Sequence, residues 1–138
     1  MKNKVFLDAS YAIALSNLSD QYHLQAETIA EKLEAKGAKL ITTQAVILEI
    51  GNALAKLRYR KAAVELINSL ENDISIEIVS LTNELYKRAF RFYKERLDKE
   101  WGLTDCISFV VMQDYNLTEA LTADEHFEQA GFQVILKK

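Results

Sequence analysis

Short apolar runs alternate with stretches of helical period along the whole of this 138-residue chain, and that alternation limits its fold more than any other feature. Val5-Phe6-Leu7 reads as a short buried strand. Residues 10–18 and 23–36 follow with helical spacing, and Gly37 stands where a left-handed residue ends the second helix. Residues 39–42 form a second strand, followed by helices over about 44–57 and 60–71. From Ile74 to Val79 apolar and polar residues alternate, as in a third strand. Helices at about 82–96 and 104–115, strands at 120–122 and 132–136, and a short helix ending at Gly131 complete the order. Repetition of this kind implies an α/β fold, a parallel sheet covered by helices on both faces. In such sheets ligands bind outside the carboxyl ends of the strands, which says where to look for chemistry.

The chain has no proline and only four glycines, so it offers no linker, and residues 1–138 read as a single domain. Hydrophobic residues at 49% and charged residues at 27% give a globular balance without long disordered tails. No apolar run approaches the roughly 18 residues of a spanning helix, and the opening residues lack a signal peptide's apolar stretch. A cytoplasmic protein with no membrane partner is therefore expected. A lone cysteine, Cys106, excludes an internal disulfide framework and a Cys-rich zinc site. The two histidines, His23 and His126, are expected on helix surfaces, and neither has a Ser or Cys partner in motif spacing. The net charge of −3 argues at first sight against a nucleic-acid ligand.

Four carboxylates stand out by position. Asp8 ends the apolar run Val5–Leu7, where an acid is either a cap leading into the next helix or part of a cleft. Glu49 falls on the flank of an apolar arc made by Val46, Ile47, Ile50, Ala53, Leu54 and Leu57, beside Asn52 and Lys56. Judged alone it reads as an ordinary exposed glutamate; its place past the second strand also lets it lean over the sheet. Asp105 opens a helix whose Cys106, Ile107, Phe109, Val110, Val111 and Met112 wrap nearly the full circumference. A helix apolar all round is buried, so an acid in its first turn needs a reason. The bland one is Thr104 as N-cap with Asp105 meeting the helix dipole. Asp124 follows the strand ending at Thr122, where Thr122 and Glu125 fit a capping box and leave Asp124 free on the ligand side.

Taken together, four acids at strand ends and facing helix ends repel one another unless a cation offsets them. Oxygen-only ligands suit a hard divalent ion, Mg²⁺ or Mn²⁺. Mg²⁺ is normally bound by one or two carboxylates plus substrate phosphate oxygens, which points to phosphodiester or phosphoryl chemistry. Cys106, inside the apolar helix, reads as a small core residue rather than a nucleophile.

These residues resemble the PIN-domain nucleases, in particular the VapC-type toxins of toxin–antitoxin pairs. The likeness is carried by Leu7-Asp8-Ala-Ser10, Glu49-Ile-Gly-Asn52-Ala-Leu54, Leu103-Thr-Asp105-Cys-Ile-Ser-Phe109 and Leu121-Thr-Ala-Asp124-Glu-His-Phe127 with Ala130-Gly131-Phe132, in that order along the chain. The resemblance implies a three-layer α/β/α fold with a five-stranded parallel sheet in the order 3-2-1-4-5. It also implies a homodimer, a cognate antitoxin and Mg²⁺- or Mn²⁺-dependent hydrolysis of RNA. Asp8, Glu49, Asp105 and Asp124 take the place of the catalytic, metal-binding quartet. Ser10 would support the first aspartate; Asn52, Thr104 and Asp98 are further candidates around the quartet. A housekeeping RNA-processing enzyme, or a non-catalytic RNA-binding protein of the same fold, remains the alternative.

RNA must also be held. Lys56, Arg58, Arg60 and Lys61 form one basic cluster suited to phosphates. Residues 87–99 form another, interleaved with Phe90, Phe92 and Tyr93, and the i,i+3 spacing of Phe90 and Tyr93 suits core residues on a solvated helix. Leu48 lies behind the apolar arc of its helix, where it is either incidental or covered by a partner, and the resemblance implies a dimer mate or antitoxin there. Setting aside the four pocket acids turns the net charge from −3 to +1, so an acidic chain is compatible with an RNA ligand. A phosphoacceptor signalling domain would need adjacent acids after the first strand, and Leu7 precedes a single Asp8.

Overall fold

The structure is a computed structural model and describes residues 2–137. The elements run β1 (Lys4–Leu7), α1 (Ala9–Ser16), α2 (His23–Lys36), β2 (Lys39–Thr43), α3 (Gln44–Ala53), α4 (Leu57–Asn72), β3 (Ile76–Val79), α5 (Asn83–Glu95), α6 (Leu103–Asp114), β4 (Glu119–Leu121), α7 (Glu125–Gln129) and β5 (Gln133–Val134). All four strand pairings are parallel, and the sheet order is β3-β2-β1-β4-β5. β1 is central because Val5, Phe6 and Leu7 are apolar on both faces, as a strand covered from both sides must be. The order reverses beside β1: β2 and β3 lie to one side, β4 and β5 to the other. Right-handed crossovers then put the connecting helices on opposite faces and leave a crevice at the carboxyl ends of β1 and β4.

The core gathers around Phe109. Its ring meets Phe127 edge-on at 5.0 Å and Trp101 at 5.1 Å, and Phe92 meets Trp101 at 5.6 Å. Every residue from Cys106 to Met112 is buried, as an all-round apolar helix requires. Removing the Phe109 ring would cost about 3–5 kcal/mol of stability. Gly37, at φ 64°, ends α2 in the left-handed cap that its position predicted. Among the described residues no helix is long and apolar enough to cross a membrane.

Several boundaries differ from expectation, each for a local reason. α3 stops at Ala53 instead of running to residue 57, and the Arg60 guanidinium donates to the freed Ala55 carbonyl at 3.2 and 2.8 Å. Leu57, placed in the buried arc by periodicity, consequently starts α4 at 91% exposure. β3 begins at Ile76 rather than Ile74, because the Asp73 carboxylate accepts from the Ser75 amide and hydroxyl at 2.9 and 2.6 Å. That Asx turn leaves Ile74 96% exposed. On α5 the inward residues are Leu85, Ala89 and Phe92; Tyr86, Phe90 and Tyr93 form an outer stripe 42%, 39% and 43% exposed. The expectation that Phe90 and Tyr93 are core is therefore corrected. His23 is also corrected: it is buried, with Nδ1 donating to the Ala14 carbonyl at 2.8 Å.

Candidate active site

Asp8 is the first residue beyond β1, and its amide still donates across the sheet to Leu121 of β4 at 3.2 Å. The ladder therefore fixes its backbone, while its extended φ and ψ (−100°, 161°) turn the chain into α1. The neighbouring Leu7 carbonyl accepts from the Thr42 hydroxyl of β2 at 2.7 Å, so the strand end is satisfied from both sides.

A run of hydroxyls holds the Asp8 side chain. Thr122 Oγ1 donates to Asp8 Oδ2 at 2.7 Å, and the Asp124 amide donates back to Thr122 Oγ1 at 3.1 Å. Since the Thr122 proton is committed to Asp8, Ser10 Oγ is the donor in its 3.1 Å contact with Thr122 Oγ1. Ser10 in turn accepts from the Ala123 amide at 3.4 Å. Burial pushes the Asp8 carboxyl up to about 6; the Thr122 and Ala9 hydrogen bonds oppose that, and the charges of Asp105 and Asp124 add to it.

Asp105 comes from α6. The helix starts one residue earlier than expected, with Gly102 at the cap, so Thr104 is not the N-cap and sits half-buried in the first turn. Asp105 Oδ2 accepts from the Gly102 amide at 3.0 Å, and burial followed by the Asp124 charge raises its pKa. Asp124 caps α7: its Oδ1 accepts from the His126 amide at 2.9 Å. The capping box expected between Thr122 and Glu125 is thus replaced by Asp124 itself, and Thr122 turns to Asp8 instead.

Glu49 leans in from α3. Burial pushes its carboxyl up to about 7, with the Asp8, Asp105 and Asp124 charges next in effect. The charges of Asp8, Asp105 and Asp124 thus reach Glu49, while Asp105 and Asp124 lie closer still, one donor atom of each falling with one of His126 within 4.8 Å of the others. Asn52 lies exposed on the same helix. Asp98 is held elsewhere, in a two-pronged pair with Arg96 at 3.0 and 2.9 Å, so it does not join the cluster. Cys106 is buried and its thiol is pushed up to about 11, which suits a core residue.

The family model of the PIN domain matches residues 5–133, from the first strand to the last. The chain belongs to the PIN domain family. This PIN domain is 25% identical over 128 residues to VapC20 of Mycobacterium tuberculosis, a 23S rRNA-specific endonuclease, covering 93% of this chain and 95% of that protein. Its fold matches the crystal structure of VapC20, a sarcin-ricin loop cleaving toxin, with TM-score 0.82 at 24% identity over 93% of this chain and 95% of that one. It also matches VapBC2 of Rickettsia felis bound to a promoter DNA fragment (TM-score 0.67, 13% identity, 95% and 96% covered). DNA-bound VapBC of Salmonella typhimurium gives TM-score 0.69 at 12% identity, with 95% and 96% covered. Sheet order and flanking helices agree with the PIN fold anticipated above.

Two members of the PIN-domain pocket escaped the sequence reading. Thr122 was read as a cap, although a hydroxyl two residues before an acid is also placed to bond a neighbouring strand end. His126 was read as a surface residue, yet its Nδ1 lies 3.1 Å from Asp105 Oδ2 and 3.4 Å from Asp124 Oδ1. Sequence spacing carries no sign of the Asp105 contact, because it links α7 to α6. In the basic cluster, Arg60 is committed to the Ala55 carbonyl and Arg58 lies over the Tyr59 ring at 4.7 Å. Lys56, Arg58 and Lys61 are exposed.

Proposed function

We propose that this PIN domain is a divalent-cation-dependent endoribonuclease and the toxin of a toxin–antitoxin pair. One observation carries the reading: Asp8, Glu49 and Asp105, from the end of β1, α3 and α6, are each raised by burial and by neighbouring acid charge, and the charge of Asp124 in the β4–α7 turn adds to all three. Such a pocket is costly unless a cation completes it. The donor set fits Mg²⁺ or Mn²⁺, because carboxylate oxygens are the ligands hard divalent ions take. Asp8, Asp105 and Asp124 would hold the ion, with Glu49 direct or through water. A divalent ion there acidifies a bound water and offsets charge on the phosphodiester.

The remaining roles fall to the chain itself. Thr122 and Ser10 fix the Asp8 carboxylate, so its orientation does not depend on substrate. Glu49 accepts no hydrogen bond among the described residues and keeps the freedom to adjust as RNA enters. Lys56, Arg58 and Lys61 offer phosphate contacts beside α4. The likeness to VapC20 makes structured ribosomal RNA the first substrate to test. A cytoplasmic homodimer that also binds an antitoxin completes the reading, with exposed Leu48 on α3 as apolar surface for a partner chain.

The decisive experiment compares RNA cleavage by wild type, Asp8→Asn and Asp105→Asn in Mg²⁺ or Mn²⁺, with and without EDTA. Cleavage that requires the ion and is lost in both variants is the expected result. Activity in EDTA, or full activity in both variants, overturns the proposal. Growth arrest on expression, relieved by a protein encoded next to this gene, would mark the toxin role.

A further inference from the structure

We infer that His126 is a nitrogen ligand of the cation pocket and tilts it toward ions that accept imidazole, Mn²⁺ over Mg²⁺. The inference rests on the cation-dependent reading above and concerns a residue outside the acidic quartet. Its starting point is placement. His126 is the second residue of the short α7, and its amide donates to the Asp124 carboxylate. That local bond holds backbone and ring on the side of the pocket where Asp105 arrives from α6.

The ring nitrogen then faces two acids at once, 3.1 Å from Asp105 Oδ2 and 3.4 Å from Asp124 Oδ1. One donor atom from each of Asp105, Asp124 and His126 lies within 4.8 Å of the other two. Neighbouring ligands of an octahedral ion with bonds of about 2.1 Å are about 3 Å apart, close to both nitrogen–oxygen separations. No other hydrogen bond to Nδ1 occurs among the described residues, so the nitrogen is aimed at the carboxylates alone. Coordination through Nδ1 leaves the ring proton on Nε2.

The chemistry of the donor decides the selectivity. Mg²⁺ is hard, keeps its waters and gains little from imidazole; ions further along the first transition series accept it readily. A pocket of carboxylates alone would distinguish Mg²⁺ from Mn²⁺ weakly. With His126 as a member, the preference for Mn²⁺ is built into α7.

The test needs no RNA. Calorimetric titration of the full chain with Mn²⁺ and with Mg²⁺ is compared for wild type, His126→Ala and His126→Gln. Mn²⁺ affinity is expected to fall about tenfold or more in both variants, while Mg²⁺ affinity changes much less. Electron spin-echo modulation of Mn²⁺ bound to wild type should show coupling to a ¹⁴N nucleus that disappears in His126→Gln. This measurement on wild type is independent of how well a variant folds. Mn²⁺ bound without nitrogen coupling, or a Mn²⁺-to-Mg²⁺ ratio unmoved by either variant, overturns the ligand role and leaves the acidic pocket standing. Failure of wild type to bind either ion overturns both.

Discussion

Two groups of carboxylates in this molecule live under opposite rules. On the α5 side, Asp98 and Asp114 each own an arginine: Arg96 grips Asp98 with two bonds, and Arg88 grips Asp114 at 2.8 and 2.7 Å. Those hydrogen bonds hold both acids below their usual range, Asp98 at about 2. At the carboxyl end of the sheet, Asp8, Glu49 and Asp105 are pushed the other way, by burial first, with the charges of neighbouring acids adding to it. Among the described residues, no Lys or Arg forms a salt bridge with any of these three acids. Acids that are paired hold surface elements together. Acids that are crowded, with no lysine or arginine bridged to them among the described residues, hold a place for something else.

The sharpest way to break this comparison is to neutralise one acid of each kind. Asp8→Asn or Asp105→Asn should lower RNA cleavage at least about a hundredfold, measured under single-turnover conditions with Mg²⁺. Asp98→Asn should leave cleavage unchanged. Equal losses from both groups would erase the distinction.

Next in size is the dependence of stability on pH. Asp8 rises from 3.8 to about 6 and Glu49 from 4.5 to about 7 on folding, so the folded chain holds protons that the unfolded chain has released. Stability from this source is complete below about pH 4 and declines as pH climbs through about 7. The melting temperature in EDTA should therefore drop by several degrees across that window, against any opposite trend from the paired acids. Saturating Mn²⁺ should flatten the drop. A melting temperature that instead rises by the same amount would contradict the pocket's charge balance.

A smaller effect probes the hydroxyl support. Thr122→Val removes the donor to buried Asp8 and the acceptor of the Asp124 amide; unfolding by urea should show a loss of about 1–3 kcal/mol. Smallest is the basic surface. Arg58→Ala and Lys61→Ala should each weaken RNA binding mildly for every sequence and reduce its logarithmic salt slope by about 1. Arg60 belongs to neither set, being committed to a backbone carbonyl.

What was legible in the sequence was whatever depends on local period and order. The buried strand at Val5–Leu7, the all-round apolar α6 and the Gly37 cap are set by neighbouring residues, and the structure shows all three. So is the sheet order, once the motifs suggest the family. The four acids stand out in the sequence because an acid beside or within an apolar stretch is an anomaly that one-dimensional inspection detects. What failed was decided by contacts through space. The stop of α3 depends on Arg60 reaching back to Ala55, and the start of β3 on the Asp73 turn. The role of Thr122 depends on β4 lying beside β1, and that of His126 on α7 meeting α6. The outward face of α5 was misjudged because Phe90 and Tyr93 share a helical spacing that fits either side, and Phe92 fills the core instead.

The hydroxyl bridge between Thr122 and Asp8 joins positions 114 apart in sequence. Asp8 is synthesised 114 residues before the threonine that holds it. A nascent chain lacking β4 therefore carries an aspartate with neither its threonine clamp nor the Asp124 and His126 that complete the pocket. The order of synthesis thus becomes an order of assembly: the Asp8 side chain is fixed only once β4 has been made and has paired beside β1.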